Sequence, residues 1–429
     1  KYKMAIDKLN EAIYKHEEIF REKCQKDYLI ILKGTLGYTY HYLGDLSSAV
    51  KYFEEAKEIQ NELTNVPDMF VAFLNINMAV TLSELDRYEE SIECIEKGLQ
   101  LSHEVFGKNN LSIILAEVYR YAGRVYGRCN QIDKAVCWLG RSLELYQRIL
   151  GNSPDPGKVE VLIDFGVLFF QSHQTEKAIE NFKSALELAR AVNDEKPHRN
   201  LAQIQRYIGM ALGQAGRFNE SLLYLAEAKE IMDKLLGPNH LHALTFSIFL
   251  NMALGHRSLR NLPEALRYFN DAFKMNCLLY SENSNCGSRE TICYEIGMSL
   301  MAMNRFDEAK ENFMKALQIA KNNPITKKKC CIVMKILYFL AVTCSMFMQY
   351  NKEQKYLEEA RKIAKDTGYK DWVVVCILIE LIKGYAKMAC IPESLLCYLE
   401  AREVAKSLPR EHFPPDFMLD LDMLKLMKI

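Results

Sequence analysis

The most regular feature of the chain is a spacing of small and bulky residues that occurs ten times. A small residue is followed four positions later by a bulky one and three positions after that by another small one, as in Ala49, Phe53 and Ala56. Positions spaced by four and then three lie on one face of an α-helix, which we call helix B. The first residue of each set is its marker. The markers are Ala5, Ala49, Ser91, Ala135, Ala178, Ser221, Ala265, Ala309, Glu353 and Ser394.

A second amphipathic stretch, helix A, precedes each marker except the first. Twelve residues before the marker it usually carries a small residue, at Gly37, Ala79, Gly123, Gly166, Gly209, Ala253, Gly297 and Ala341, with Ile382 as the exception. A glycine inside a helix costs about 1 kcal/mol relative to alanine. We therefore expect these residues to be compensated by close contact with helix B.

The repeat predicts the organisation of the whole chain. The markers are 41–44 residues apart, so residues 1–411 are predicted to form a single solenoid, with a lone helix B at 3–24 followed by nine helix pairs. Residues 412–429 are predicted to be a capping helix or tail. The chain opens in the middle of a repeat and with Lys1 rather than methionine, so we expect it to be a fragment or a processed form.

The pattern resembles the tetratricopeptide repeat family, most fully in the segment LGYTYHYLGDLSSAVKYFEEA. The matching positions are Leu36, Gly37, Tyr40, Ala49, Phe53 and Ala56. The usual period is 34 residues, and the longer period here is similar to that of kinesin light chain, as is the segment LLGPNHLHALTFSIFLNMAL. The resemblance implies an all-α, right-handed superhelical solenoid of antiparallel helix pairs, with helix A on the concave side. It also implies a protein-interaction scaffold or adaptor.

Composition and charge limit the function classes. The 55 basic and 55 acidic residues give zero net charge, which argues against a nucleic-acid partner. The 13 cysteines are an odd number at irregular spacing, so we expect a reduced, cytoplasmic environment rather than a disulfide framework. The most apolar window, residues 336–348, is shorter than the roughly 20 residues that span a membrane.

Helix A supplies the candidate binding residues. Its inner-face positions lie 18, 15, 14, 11, 8 and 7 residues before each marker. The predicted partner-binding groove consists of Asn77, Arg120, Arg124, Arg128, Gln171, Gln203, Arg206, Tyr207, Asn251 and Arg257. Amides can hydrogen-bond a peptide backbone, and arginines select carboxylate or phosphate by bidentate contacts. An acidic or phosphorylated peptide of another protein is therefore the predicted partner.

Two alternatives stay open for these surfaces. Glu117, Glu160 and Asp164 could neutralise the row formed by Arg120, Arg124 and Arg128 within the chain. Repeats seven to nine have apolar residues at the inner positions, which either hold an amphipathic helix of a partner or belong to the core. These residues are Tyr294, Met298, Met301, Tyr338, Val342 and Met346.

The leading hypothesis is a non-enzymatic adaptor without catalytic residues, metal or cofactor. The two His-Glu pairs lack the second histidine of a zinc protease, and no phosphate-binding loop or nucleophile elbow occurs. A second hypothesis is RNA binding by the arginine row with Tyr119, Tyr121 and Tyr207. A third is a sensor or regulatory arm of a larger multidomain protein.

Overall fold

The chain forms α-helices throughout the parts that the structure, a computed structural model, describes. These parts are residues 2–19, 26–61, 68–107, 110–238, 240–279, 289–321 and 327–408. The helices are α1 (Tyr2–Ile19), α2 (Lys26–Leu43), α3 (Leu46–Asn61), α4 (Asp68–Glu84), α5 (Tyr88–Phe106), α6 (Ile113–Arg128), α7 (Ile132–Leu150), α8 (Pro156–Gln171), α9 (Thr175–Val192), α10 (Arg199–Gln214), α11 (Phe218–Leu236), α12 (Ala243–Ser258), α13 (Leu262–Leu279), α14 (Arg289–Ala302), α15 (Phe306–Lys321), α16 (Lys327–Met346), α17 (Tyr350–Thr367), α18 (Trp372–Lys387) and α19 (Ile391–Lys406). The predicted all-α fold is confirmed.

Consecutive helices form the nine predicted antiparallel pairs, from α2 with α3 to α18 with α19. The even-numbered helices are helix A and the odd-numbered helices are helix B. Helix α1, the predicted lone helix B, is described from Tyr2 to Ile19, and the end of its predicted span lies outside the described residues. Several helix A members also contact the helix A of the next pair, as α4 contacts α6 and α6 contacts α8.

The chain divides into two compact units. The first, residues 1–240, contains α1 to α11, and the second, residues 241–429, contains α12 to α19. Each has its own apolar core of buried helix faces. The single solenoid over residues 1–411 stays a prediction, and the predicted cap at 412–429 lies outside the described residues.

Each glycine that lies twelve residues before a marker faces the bulky residue of its own helix B. A Cβ atom added to Gly297 would lie 2.6 Å from the Phe313 ring, and one added to Gly123 would lie 2.6 Å from Leu139. Phe313 and Leu139 are buried. Real Cβ atoms do not approach other atoms so closely, so the axes of the two helices come together only because the side chain is absent. The expected compensation for helical glycine is therefore confirmed.

The turn from helix A to helix B has one geometry in all nine pairs. The residue five positions before each marker has a positive φ between 56° and 87°. These residues are Gly44, Asp86, Asn130, His173, Gly216, Arg260, Asn304, Met348 and Ala389. Glycine adopts this left-handed conformation without penalty, whereas other residues adopt it at a cost of about 1–2 kcal/mol. Helix B then begins three residues before its marker in every pair.

Replacing Gly297 by alanine should destabilise the second unit. The methyl group would favour the helix by about 1 kcal/mol, but the overlap with Phe313 would cost about 1–3 kcal/mol, so we expect a net loss of about 1 kcal/mol. Urea unfolding followed by circular dichroism measures the change.

The matched control is Gly384→Ala, in helix α18 of the same unit. No atom outside its own helix backbone lies within 4 Å of a Cβ added there. This substitution should raise the free energy of unfolding by up to about 1 kcal/mol. The same sign of change in both variants would contradict the close-contact explanation.

Candidate functional site

The candidate site is the surface formed by the helix A members of the first unit, on the side away from helix B. We call it the A-face. It carries eight of the ten predicted residues, on α4, α6, α8 and α10. The other two, Asn251 and Arg257, lie on α12 in the second unit, so the structure does not bring all ten into one unit.

Arg120 lies at the centre of an ion-pair cluster between α6 and α8. Its side chain is 9% exposed, its Nη2 lies 2.8 Å from Glu117 Oε2 and its Nη1 lies 3.0 Å from Asp164 Oδ2. Tyr146 donates a hydrogen bond to the other oxygen of Glu117. Burial opposes the charge of Arg120, yet Asp164 and Glu117 raise its pKa above the ordinary arginine value. Arg120 therefore holds α6 to α8 and keeps its charge.

The other two arginines of the row are also paired, but their side chains stay accessible. Arg124 Nε lies 3.7 Å from Asp164 Oδ1, and Arg128 Nη2 lies 3.2 Å from Glu84 Oε1 on α4. Their side chains are 33% and 42% exposed. The internal neutralisation of the arginine row, which the sequence left open, is thus present, with Glu84 as an inner-face partner in addition to the expected carboxylates.

A pocket of about 230 Å³ lies on the A-face between α6, α8 and α10. Five of the predicted residues line it, namely Arg124, Arg128, Gln171, Gln203 and Tyr207. Glu160 and Asp164 also line it. Gln203 Nε2 lies 3.5 Å from Tyr207 Oη. The pocket therefore offers cations, amides and an aromatic ring from three successive repeats.

Arg206 differs from the other predicted arginines. It lies on α10 directly before Tyr207, and its guanidinium carbon is 4.4 Å from the centre of the Tyr207 ring. Its Nη1 lies 2.9 Å from Met210 Sδ, whereas its buried Nε has no hydrogen-bond partner among the described residues. No carboxylate in those ranges forms an ion pair with it. Burial lowers its pKa, since the described residues compensate its charge poorly.

The second unit uses its predicted residues differently. Arg257 Nη1 lies 2.9 Å from Glu295 Oε2 on α14, and Asn251 is half-buried. Tyr294 is 9% exposed and packs against the rings of Phe313 and Phe339, so it belongs to the core. The inner positions of these repeats thus include core residues. This agrees with the interpretation that they belong to the core rather than to a site for a partner helix.

An apolar pocket of about 320 Å³, which was not predicted from the sequence, lies between α2 and α4. Asn77 lines this pocket rather than the polar one, together with Ile31, Tyr38, Phe70 and Phe73. Tyr38 and Phe70 are each 41% exposed. The offsets used for polar candidates also give Ile31, Tyr38 and Phe73, so apolar residues at the same positions were the available signal.

The structure corrects the aromatic part of the RNA hypothesis. Tyr119 does not lie beside the arginine row. It is 7% exposed and contacts His103 and Trp138 between α5 and α7. The cause is geometric, because neighbouring residues of a helix point about 100° apart. Tyr121 lies under Arg120 and Arg124, with its ring centre 4.9 and 5.7 Å from their guanidinium carbons.

Neither a metal-binding cluster nor a membrane-spanning helix occurs among the described residues. No group of three or more histidine, cysteine, aspartate or glutamate residues is arranged to hold a metal ion in those ranges. None of the helices described has the length and apolar character to cross a membrane.

Replacing Asp164 by asparagine should destabilise the first unit. Burial raises the pKa of Asp164, and Arg124 and Arg120 oppose that shift. The substitution would leave the buried Arg120 with an incomplete set of acidic partners, so we expect a loss of about 3 kcal/mol in the free energy of unfolding. Denaturant titration measures it. Glu308→Gln, which breaks the exposed pair with Arg305, is the control and should leave the midpoint almost unchanged. Equal midpoints for both variants would rule out the structural role of Asp164.

Comparison with known proteins gives related sequences and folds. A curated Arabidopsis thaliana protein, kinesin light chain-related 1, is 24% identical over 55% of this chain and 38% of its own length. Kinesin light chain-related 2 from the same plant is 22% identical over 54% of this chain and 34% of its own length. The chain thus spans about a third of the length of these relatives. A tetratricopeptide repeat protein of Methanocaldococcus jannaschii is 21% identical over 78% of this chain and 50% of its own length.

Two solved structures share the fold. The apo form of RapI superposes with a TM-score of 0.55 at 14% identity, covering 88% of this chain and 99% of its own. A signal transduction ATPase from Pyrococcus horikoshii with a tetratricopeptide repeat sensor gives 0.56 at 13% identity, covering 89% of this chain and 54% of its own.

Family models place these repeats directly. One model, described as tetratricopeptide repeat, matches residues 70–148, 114–191 and 200–277. A second model with the same description matches residues 32–63 and 290–323, and the matches together cover more than half of the chain. The chain belongs to the tetratricopeptide repeat family and resembles its kinesin light chain-related members.

Proposed function

We propose that the protein is a non-enzymatic scaffold whose A-face binds a segment of another protein through an acidic or phosphorylated side chain. The observation that carries the proposal is Arg206, a half-buried cation beside Tyr207 of the polar pocket, whose Nε is buried without a hydrogen-bond partner and which has no carboxylate partner in the described chain. A buried charge is costly when nothing compensates it. An anionic group of a partner would remove that cost on binding.

The charge of the A-face supports an anionic partner. Arg124 and Arg128 line the pocket with 33% and 42% of their side chains exposed, and each has one carboxylate neighbour within ion-pair distance. A guanidinium group has five donors, so a single long contact leaves most of them for a ligand. Carboxylates and phosphates accept two parallel hydrogen bonds from such a group.

The rest of the A-face supports a peptide rather than a small anion. Gln171 and Gln203 line the pocket and can bond backbone groups of any sequence. The apolar pocket between α2 and α4 would take a bulky side chain of the same segment. An extended segment or one face of a helix presents side chains at the regular intervals that such a surface needs.

The cysteines of the chain support a role in the cytoplasm, where thiols are reduced. The curated Arabidopsis proteins are named as kinesin light chain-related. Several cysteines in the described ranges, among them Cys94, Cys293 and Cys397, are buried thiols at helix packing positions. We propose this compartment and the role of an adaptor for this chain.

Arg206→Gln should weaken binding of an acidic peptide more than tenfold, because it removes the cation that lacks a partner. The probes are a fluorescein-labelled glutamate-rich peptide, its phosphoserine counterpart and a single-stranded RNA, each titrated by fluorescence anisotropy. Arg206 is a sharper target than Arg124, since reversal of Arg124 also disturbs its pair with Asp164.

Arg190→Gln is the matched control, since it makes the same charge change at an exposed position of α9, a helix B. It should leave peptide affinity within about twofold. Equal affinity of the Arg206 variant and the parent would contradict the proposal. If both peptides fail to bind and the RNA binds the parent but not the Arg206→Gln variant, the RNA hypothesis replaces the proposed peptide binding.

A further inference from the structure

A second set of pockets lies on the helix B side of the first unit, around a cluster of three aromatic rings. His103 of α5, Tyr119 of α6 and Trp138 of α7 form this cluster. The Tyr119 and Trp138 ring centres are 5.1 Å apart, and His103 Nε2 lies 3.0 Å from Tyr119 Oη. The cluster separates two neighbouring pockets that share His103 as a wall. We call the pockets and the cluster together the B-face site.

One pocket of the B-face site is cationic. It measures about 320 Å³, and Arg141 and Arg148 line it together with Asn110 and Glu144. The Arg141 guanidinium carbon lies 4.6 Å from the centre of the Trp138 ring. Glu144 lies between the two arginines on α7, yet neither arginine has a carboxylate within ion-pair distance among the described residues. Both side chains are exposed, so their charges are available to a ligand.

The other pocket is anionic and aromatic. It measures about 530 Å³, and Glu96, Glu104, Tyr126 and Trp138 line it. Glu96 accepts a hydrogen bond from Tyr126 Oη at 3.2 Å, and Glu104 accepts one from the Gln100 amide at 2.9 Å. Neither glutamate has a basic partner within ion-pair distance in the described chain. Aromatic faces beside carboxylates attract a cation, through the ring quadrupole and through charge.

We infer that the B-face site docks a protein segment carrying an acidic group and a basic side chain a few residues apart. The acidic group binds between Arg141 and Arg148. The basic side chain binds near Glu96 and Glu104 beside Trp138, since the Tyr126 ring already has Lys134 Nζ at 5.1 Å. Charge complementarity selects this partner. A nucleic acid supplies no cation for the second pocket, and a metal ion is repelled by the two arginines. The anionic group is a carboxylate or a phosphate, which share bidentate geometry.

The surface is separate from the A-face. Its arginines and glutamates are exposed on α5 and α7 and form no ion pair with another described residue, whereas Arg120 and Arg124 of the A-face are paired with carboxylates of α6 and α8. The inference therefore does not rest on the proposed function. A scaffold with both sites would hold two different segments at once on opposite helices of the same pairs.

The test uses the whole chain with Trp372→Phe, which leaves Trp138 as its one tryptophan and a reporter inside the B-face site. A random-peptide phage library is selected against this parent protein. It is also selected against Arg141→Gln/Arg148→Gln, Glu96→Gln/Glu104→Gln and the A-face variant Arg206→Gln. Circular dichroism and thermal unfolding verify that all four are equally folded.

We expect one class of peptides to be retained by the parent and by Arg206→Gln but lost from both double variants. Its members should contain an acidic and a basic residue. A synthetic member should change the fluorescence of Trp138 and bind each double variant at least tenfold more weakly. Replacing its acidic residue by phosphoserine or by glutamine then distinguishes phosphate from carboxylate as the anionic group.

Three results would overturn the inference. One is selection that yields no peptide dependent on Arg141 and Arg148. Another is a peptide class lost from one double variant but not the other, because the site then recognises a single charge. The third is loss with Arg206→Gln alone, which assigns the peptides to the A-face and supports the proposed function instead.

Discussion

The contact between a small residue of helix A and a bulky residue of helix B fixes the rest of the structure. Gly297 against Phe313 and Gly123 against Leu139 leave no room for a Cβ atom, so the two helices of a pair have essentially one separation. Where the marker is a serine, a hydrogen bond adds to this contact, as Ser221 Oγ donates to the carbonyl of Gly209 at 2.6 Å. The A-face and the B-face site consist of side chains that this helix pairing directs away from the core.

The same pairing explains why charges from different repeats meet. Arg128 and Glu84 are 44 residues apart, and each lies seven residues before its own marker. Arg120 and Asp164 are also 44 residues apart and occupy nearly equivalent positions. Because the same geometry repeats, residues at equal offsets lie side by side, and opposite charges there form ion pairs between successive repeats. Part of the charge of the chain is therefore neutralised locally by ion pairs between repeats. Arg206, Arg141 and Arg148 form no such pair among the described residues.

Much of the fold could be predicted from the sequence, because it depends on contacts within one repeat. The markers and the small residues twelve positions earlier predicted the helix pairs, and helix B of each of the nine pairs begins three residues before its marker. The site was less predictable, because it depends on how successive repeats rotate against each other. The offsets identified the five residues of the polar pocket, but not that Glu84 pairs with Arg128 or that Arg206 lacks an acid. The position of Tyr119 was predictable, because it lies 16 residues before its marker and so outside the inner-face offsets.

The uniform turn from helix A to helix B has a consequence for how such a chain can be divided. Its left-handed residue always lies five positions before the marker, whereas the period varies from 41 to 44 residues. The variation therefore lies between helix B and the next helix A. A cut in the short turn separates a glycine from the bulky side chain that fills its space. A cut after helix B leaves each such contact whole, so the helix pair, rather than the single helix, is the natural piece for truncating this chain or joining it to another.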